Sequence, residues 1–255
     1  MANNDRVNER YYGLVNSEES HEATRARIHW ICRNAAGPRV LDIGCSQGIT
    51  PILLAREGCT VTGIDLDSAA IRYARKELRK ESPPVRNRVR FELVNVTDFE
   101  APPASYDTVI LGEILEHFAD PALLLAQAHR LLTKNGVVLI TVPYGYHPFY
   151  DHKQTFYAGS LSLLLDPWFA EVKLEIHRKY LCFAGRKRTG WPKRGPDAGQ
   201  LRRWMELDYE QFPRIEEAYR NKLDERKAVL DRAVQRVRQL EEERSERNED
   251  RLEEK

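Results

Sequence analysis

Short apolar runs alternate with amphipathic stretches through the middle of the chain. Five runs have the length and β-branched content of buried strands: 40–43, 60–65, 89–94, 105–111 and 137–142. The stretches between them carry helix start and stop signals and predict helices at 49–56, 69–79 and 120–132. Alternating strands and helices predict an α/β fold with a mostly parallel sheet and helices on both of its faces.

The first run leads into a tight turn that is rich in glycine. Val40 to Gly48 predicts a strand, a turn and then a helix, an arrangement that presents backbone N–H groups to a polar or anionic ligand. Its pattern is Asp42-x-Gly44-x-Ser46-x-Gly48, which is not the G-x-G-x-x-G fingerprint of dinucleotide-binding turns. Taken alone, the turn also fits a nucleotide or phosphate loop of another kind. The second run ends in Asp65, and a carboxylate at this point of a βαβ unit can bind both hydroxyls of a ribose.

Four motifs together resemble those of the class I S-adenosylmethionine (SAM)-dependent methyltransferases. Asp42 to Gly48 resembles their first motif, D/E-x-G-x-G-x-G, with Ser46 in place of the middle glycine, and Gly63 to Asp67 resembles the second. Asn95 to Asp98 stands where the family often has an acidic residue against the adenine amine, and Ser105 to Leu111 is similar to its fourth strand. The resemblance spans residues 40–186.

This resemblance implies both a fold and a cofactor. The fold is a Rossmann-like methyltransferase sheet, mostly parallel, with an antiparallel edge hairpin formed by 172–176 and 179–184. The cofactor is SAM, and the matching positions imply these binding residues: Asp42, Gly44, Cys45, Gly48, Asp65, Leu66, Asn95, Val96 and Glu113. In such enzymes an N-terminal segment often covers the SAM site. Tyr12 or Arg25 could then reach the site, or the segment could simply pack against the sheet.

The segment after the fourth strand carries the candidate chemistry. On a helical turn, Glu113, Glu116 and His117 would share one face. One hypothesis makes His117 a general base for a substrate hydroxyl, oriented by Glu113. A second makes the three side chains ligands of a divalent metal (Mg, Mn or Zn), completed by His147 or His152. In a third, His117 only lines the pocket.

The acceptor of the methyl group is less well defined by the sequence. The E-x-x-E-H pattern resembles both ubiquinone-pathway O-methyltransferases and metal-dependent small-RNA 2′-O-methyltransferases. Residues 143–157 are rich in aromatic residues and histidine and follow a strand, so we expect them to belong to the substrate pocket or else to close the core. We therefore expect O-methylation of a sugar, glycan or other polar small molecule. The alternatives are RNA ribose methylation and a non-catalytic scaffold that binds SAM.

Composition divides the rest of the chain. We expect an N-terminal cap segment at 1–36, a methyltransferase domain at 37–186, a basic linker at 187–200 and a helical extension at 201–255. In the extension, Leu223, Leu230 and Val237 repeat every seven residues, which predicts a short coiled coil and a homo-oligomer. This architecture resembles the O-antigen chain-terminating methyltransferases. The linker could contact a membrane surface or simply be solvated.

Charge and cysteine content bound the location and the partners. A formal net charge of +1 argues against nucleic acid as a partner. The four cysteines are scattered without a C-x-x-C pair, which is typical of a reducing cytoplasm. We expect a cytoplasmic protein, because the sequence also has no long apolar run and its N-terminus lacks the core of a signal peptide.

Overall fold

The computed structural model describes residues 6–147, 149–190 and 195–253, without the side chains of 242 and 244–253. The strands are β1 Arg39–Ile43, β2 Thr60–Asp65, β3 Val89–Leu93, β4 Tyr106–Gly112, β5 Leu132–Pro143, β6 Phe169–His177 and β7 Tyr180–Lys187. The helices are α1 Val7–Tyr11, α2 Glu18–Asn34, α3 Ile49–Arg56, α4 Ser68–Leu78, α5 Pro83–Arg86, α6 Ala122–Leu131, α7 Ala158–Leu165 and α8 Ala198–Glu253. None of these described helices combines the length and the apolar character needed to cross a membrane.

The strands form one seven-stranded sheet in the order β3-β2-β1-β4-β5-β7-β6. The five strands from β3 to β5 are parallel, whereas β7 runs antiparallel to β5, and β6 runs antiparallel to β7. This confirms the predicted mostly parallel sheet with an antiparallel edge hairpin. Strand order reverses between β1 and β4, and in open α/β sheets the crevice at such a point is where ligands bind.

Apolar side chains on one face of the sheet hold α2 and α4 in place. Trp30 and Ile31 of α2 pack with Ile110 of β4 and Leu139 of β5, and all four are almost completely buried. Farther along the same face, Ile71 and Ala74 of α4 pack against the Phe91 ring of β3. Buried strands of this kind read as continuous apolar runs, which is why the sequence located most of them within two residues.

Several element bounds differ from the prediction. β5 begins at Leu132, where a helix was still expected, because Leu132 pairs with Tyr106 and the register then shifts before Val137 pairs with Thr108. The extra residues at 133–136 form an irregularity in the ladder. α1 and α5 were not predicted, since helices of five and four residues are too short to show a period.

The chain divides into two compact units, Met1–Trp204 and Met205–Lys255. The first holds the sheet and the start of α8, where Trp204 is buried and donates from Nε1 to Glu171 Oε2 at 2.8 Å. The second is the rest of α8, so the predicted extension is a single helix that begins at Ala198, inside the expected linker. Residues 191–194, which carry the linker's Trp191 and two of its cations, lie outside the described part of the chain.

Candidate active site

A cavity of about 420 Å³ opens at the carboxyl ends of the central parallel strands. Its walls include the turn after β1, the end of β2 and the segment after β4, together with the loop that follows β5. β1 and β4 are the neighbours between which strand order reverses. The cavity therefore lies in the crevice where this kind of sheet places its ligand.

The glycine turn needs its glycines for conformation and for space. Gly44 and Gly48 have φ of +76° and +83°, in the left-handed region that side chains disfavour. A Cβ on Gly44 would lie 2.9 Å from Ile114 Cδ1, and one on Gly48 would lie 2.5 Å from Phe91 Cζ. Gly44 lines the cavity, whereas Gly48 packs against α4 and β3 and does not line it.

Asp65 locks this turn to the end of β2. Its Oδ2 accepts a hydrogen bond from Ser46 N at 2.8 Å, and its Oδ1 accepts one from Asp67 N at 2.8 Å. Gly44 N and Cys45 N both donate to Ile64 O, at 2.8 and 3.0 Å. The Asp65 carboxylate is thus fixed at the cavity wall, which is the placement that recognition of a ribose requires.

Asp42 is a buried carboxylate beside a buried cation. Burial raises its pKa from 3.8 to about 7, the nearby Arg27 guanidinium opposes that rise, and the Asp65 charge adds to it. Arg27 is itself buried, and its Nη1 donates to Thr141 Oγ1 at 3.5 Å. Both side chains line the cavity. The sequence predicted Asp42 but missed Arg27, because a cation on α2 shows no motif.

The N-terminal segment reaches the site through α1. Gln47, in the glycine turn, is buried, accepts from Asn8 N at 2.9 Å and donates from Nε2 to Glu9 Oε2 at 3.1 Å. These bonds bring Val7 and Arg10 to the cavity wall. Tyr12 and Arg25, the residues expected to reach the site, do not line the cavity. Tyr12 is half exposed, and Arg25 bonds Glu18.

Glu113 does not share a helical face with Glu116 and His117, so that expectation is wrong. β4 ends at Gly112, Glu113 adopts φ +57°, and only Leu115–His117 forms a short 3-10 turn. Glu113 N donates to Thr141 O at 2.8 Å, which holds this kink against β5. Glu113 therefore lines the cavity as a separate residue near Lys179, and the carboxylate that lies beside His117 is a different one.

That carboxylate is Asp151, in the loop after β5. Its Oδ2 lies 3.2 Å from His117 Nδ1, and its Oδ1 lies 3.3 Å from Lys153 Nζ. The Lys153 hydrogen bond is the main reason why the pKa of Asp151 is lowered, with His117 contributing. Asp151 therefore remains ionised beside the imidazole at neutral pH.

Four hydrogen bonds fasten this loop to the His117 segment. Lys153 N and Gln154 N donate to Glu116 O at 2.7 and 3.2 Å. Gln154 Nε2 donates to Phe118 O at 2.8 Å and to Ala119 O at 2.9 Å. The sequence placed the aromatic loop near the site, but it could not show that Gln154 fixes its position.

The fastened loop also brings a second histidine to the first. One ligand atom each from Glu116, His117 and His152 lie within 4.8 Å of one another, a spacing that suits a metal ion. Glu113 and His147, members of the expected metal set, are not part of this group, although both line the cavity. Burial, His117 and His147 together lower the pKa of His152, so its imidazole is neutral and able to act as a ligand.

Of the remaining residues expected to bind the cofactor, three line the cavity and one does not. Cys45, Leu66 and Val96 line the cavity. Asn95 does not: its Oδ1 accepts from Thr97 N at 3.2 Å and forms a turn, while its neighbours Val94 and Val96 supply the wall. An apolar wall at this point suits a flat, largely apolar ring such as adenine.

A mostly parallel sheet with this edge hairpin, a glycine turn after β1 and a carboxylate at the end of β2 define a class I SAM-dependent methyltransferase. Comparison with known proteins agrees with this class. Residues 18–206 match the family model described as a methyltransferase domain, and the chain belongs to that family.

Curated relatives match part of the chain. The ubiquinone biosynthesis O-methyltransferase of Thiobacillus denitrificans is 38% identical over 124 residues, which are 48% of this chain and 52% of that protein. The chain thus spans about half the length of the curated relatives it matches.

Two solved structures share the fold at low identity. A SAM-dependent methyltransferase from Methanosarcina mazei has a TM-score of 0.51 at 21% identity, covering 62% of this chain and 96% of that one. A geranyl diphosphate C-methyltransferase from Streptomyces coelicolor, solved with Mg2+ and S-adenosyl-L-homocysteine, has a TM-score of 0.56 at 14% identity, covering 66% and 82%. These likenesses concern the fold alone.

Proposed function

We propose that this protein transfers the methyl group of SAM to a hydroxyl of a polar acceptor, such as a sugar, a glycan or a similar small molecule. The observation that carries the proposal is the His117–Asp151 pair, which shares one cavity with the Asp65 turn. SAM supplies an already activated methyl group. The protein therefore has to align the acceptor oxygen and remove its proton.

His117 is suited to take that proton. The Asp151 carboxylate lies 3.2 Å from His117 Nδ1 and favours a proton on that nitrogen, which would leave the lone pair of Nε2 for the acceptor hydroxyl. The ionised Asp151 also stabilises the imidazolium that forms when the proton arrives. Asp151 therefore has the orienting role that the sequence had assigned to Glu113.

The loop after β5 supports a polar, extended acceptor. Tyr146 and Tyr150 are largely exposed, and Phe149 lines the cavity beside His117, at 6.3 Å between ring centroids. A second cavity, also about 420 Å³, lies along the same loop between aromatic rings and the polar Lys153, Gln154 and Thr155. Aromatic faces flanked by hydrogen-bonding groups fit a sugar ring, which is apolar on its faces and polar at its edge.

The curated relatives are O-methyltransferases by name, which favours oxygen as the atom that is methylated. Their identity of 34–39% is confined to about half of this chain. We therefore carry over the type of reaction and not the ubiquinone precursor itself. The half of the chain outside the match leaves room for a different acceptor.

A metal-assisted version of the same reaction is the second candidate. The carboxylate of Glu116 and the imidazoles of His117 and His152 would hold a divalent ion, with other positions left for acceptor oxygens. Two imidazoles favour Zn or Mn over Mg, which prefers oxygen ligands. The ion would lower the pKa of a bound hydroxyl, so no protein base would be required.

Two variants separate these versions. If His117 is the base, His117→Ala lowers turnover by roughly 10² to 10⁴-fold, His152→Ala has a much smaller effect, and EDTA has none. If the residues bind a metal, both variants and EDTA abolish turnover, and calorimetric binding of Mn2+ to the wild type is lost in both. His29→Ala, an exposed change on α2, is the control. Full turnover by both variants would refute both versions.

We also propose a cytoplasmic location. Cys32, Cys45, Cys59 and Cys182 are all free thiols, and burial raises the pKa of Cys32 to about 12. Free, largely protonated thiols suit a reducing compartment. Fractionation of source cells, with the protein found in a fraction other than the cytosol, would contradict this proposal.

A further inference from the structure

Most of the exposed large apolar side chains of the second unit follow a single line along α8. From residue 205 to residue 240 their positions are separated by alternating steps of four and three residues, the spacing of a coiled-coil seam. The seam carries Met205, Tyr209, Phe212, Tyr219, Leu223, Leu230, Ala233, Val237 and Leu240. It is longer than the short repeat visible in the sequence, because aromatic residues replace leucine in its first half.

Two seam positions are charged, and their signs are opposite. Glu216 and Arg226 interrupt the apolar line, and both are exposed on the helix. In a parallel pair of helices each seam residue meets its own copy, so Glu216 would face Glu216 and Arg226 would face Arg226. Buried like charges of this kind are destabilising, which disfavours the parallel pair.

An antiparallel pair removes both conflicts in one register. With the midpoint between Tyr219 and Leu223, Glu216 of one copy meets Arg226 of the other, and this happens twice by symmetry. The other layers are then wholly apolar: Met205 with Val237, Tyr209 with Ala233, Phe212 with Leu230, and Tyr219 with Leu223.

The same register also matches the sizes of the facing side chains, and the registers one heptad away in either direction do not pair the charges. Tyr209, one of the two tyrosines of the seam, meets the smallest seam residue, Ala233. A shift of one heptad would place Glu216 against Tyr219 in one direction or against Ala233 in the other, and would leave Arg226 unpaired in both. Charge and size therefore select one alignment.

We propose that α8 pairs with α8 of a second copy of this chain as an antiparallel coiled coil in this register. The partner is an identical chain because each charged seam position finds its complement in the same sequence. On the single helix Glu216 bonds Arg220 at 3.0 Å, an exposed i, i+4 pair that the dimer can exchange at little cost. Leu240 would meet Arg202, where the apolar overlap ends.

Charge reversal in the full-length chain tests the pairing. Sedimentation equilibrium should give a dimer for the wild type and a dissociation constant at least tenfold weaker for Glu216→Arg, a loss of about 1.4 kcal/mol. Glu216→Arg with Arg226→Glu in one chain should restore the affinity to within about threefold, roughly 0.6 kcal/mol. Glu217→Arg, the same charge change one residue off the seam, is the matched control. A monomeric or trimeric wild type would overturn the proposal.

Disulfide trapping tests the direction. Under mild oxidation, a mixture of the Tyr209→Cys and Ala233→Cys variants should yield a covalent dimer joining residues 209 and 233, as identified by peptide mass spectrometry. Each variant alone should remain no more cross-linked than the wild type, which controls for the four native thiols. Covalent dimers of each variant alone, joined at 209–209 and 233–233, would show a parallel pair and overturn the proposal.

Discussion

Gly48 should be far less tolerant of alanine than Gly58, although both glycines have positive φ. Gly48 has φ +83° and Gly58 has φ +96°, so alanine at either site costs about 1–2 kcal/mol of backbone strain. At Gly58 nothing lies within 4 Å of the added Cβ. The two substitutions therefore share the backbone strain but differ in the steric contacts of the added Cβ.

The second cost is steric and applies only to Gly48. Its Cβ would come within 2.5 Å of Phe91 Cζ and 2.8 Å of Ala74 Cβ, and both neighbours are buried. Overpacking of a filled core adds about 1–3 kcal/mol. We expect a total loss of about 2–5 kcal/mol for Gly48→Ala and about 1–2 kcal/mol for Gly58→Ala.

Urea unfolding followed by tryptophan fluorescence measures this difference, because the buried Trp30 reports on the first unit. We expect Gly48→Ala to lower the free energy of unfolding by at least about 1 kcal/mol more than Gly58→Ala does. Equal losses would refute the reasoning, because they would mean that α4 and β3 yield to the added methyl group.

Three further predictions concern single side chains. Asp42 has a pKa of about 7 in the folded state and 3.8 in the unfolded state, so between these pH values the folded state binds more protons. The contribution of Asp42 to the free energy of unfolding therefore falls as pH rises from 4 to 7. Asp42→Asn should remove this contribution to the pH dependence of the unfolding free energy measured in urea titrations. Gln154→Ala should lower kcat by roughly tenfold, with SAM affinity unchanged in calorimetry, because the loop loses its bonds to Phe118 O and Ala119 O; unchanged kcat would contradict this. Glu171→Ala should lower the unfolding free energy by about 1–3 kcal/mol, since the buried Trp204 indole loses its acceptor, and Glu171→Gln should restore part of it.

The sequence predicted the parts of the site that depend on local chain geometry. The strand, glycine turn and helix at 39–56 and the carboxylate of Asp65 are local, because a tight turn and a strand end fix their own side chains. The mostly parallel sheet with its antiparallel edge hairpin followed from the resemblance, whereas the order of its strands was not predicted. The parallel strands were predicted correctly because a strand buried on both faces shows an unbroken apolar run in the sequence.

The parts that depend on contacts between distant segments were not predictable. The spacing of Glu113, Glu116 and His117 fits a helix, yet the bond from Glu113 N to Thr141 O holds the chain in a left-handed kink. Asp151 reaches His117 only because the loop is fastened to Glu116. No local sequence pattern predicts the kink at Glu113 or the contact between Asp151 and His117.

The most direct test of the account follows the methyl group itself. Wild-type protein is incubated with methyl-labelled SAM and an extract of its source cells, and RNA, protein, lipid, glycan and small-molecule fractions are then separated. We predict label in a glycan or a polar small molecule, and its loss in the Asp65→Ala and His117→Ala variants. Label in RNA or protein, or equal labelling by wild type and both variants, would contradict the account.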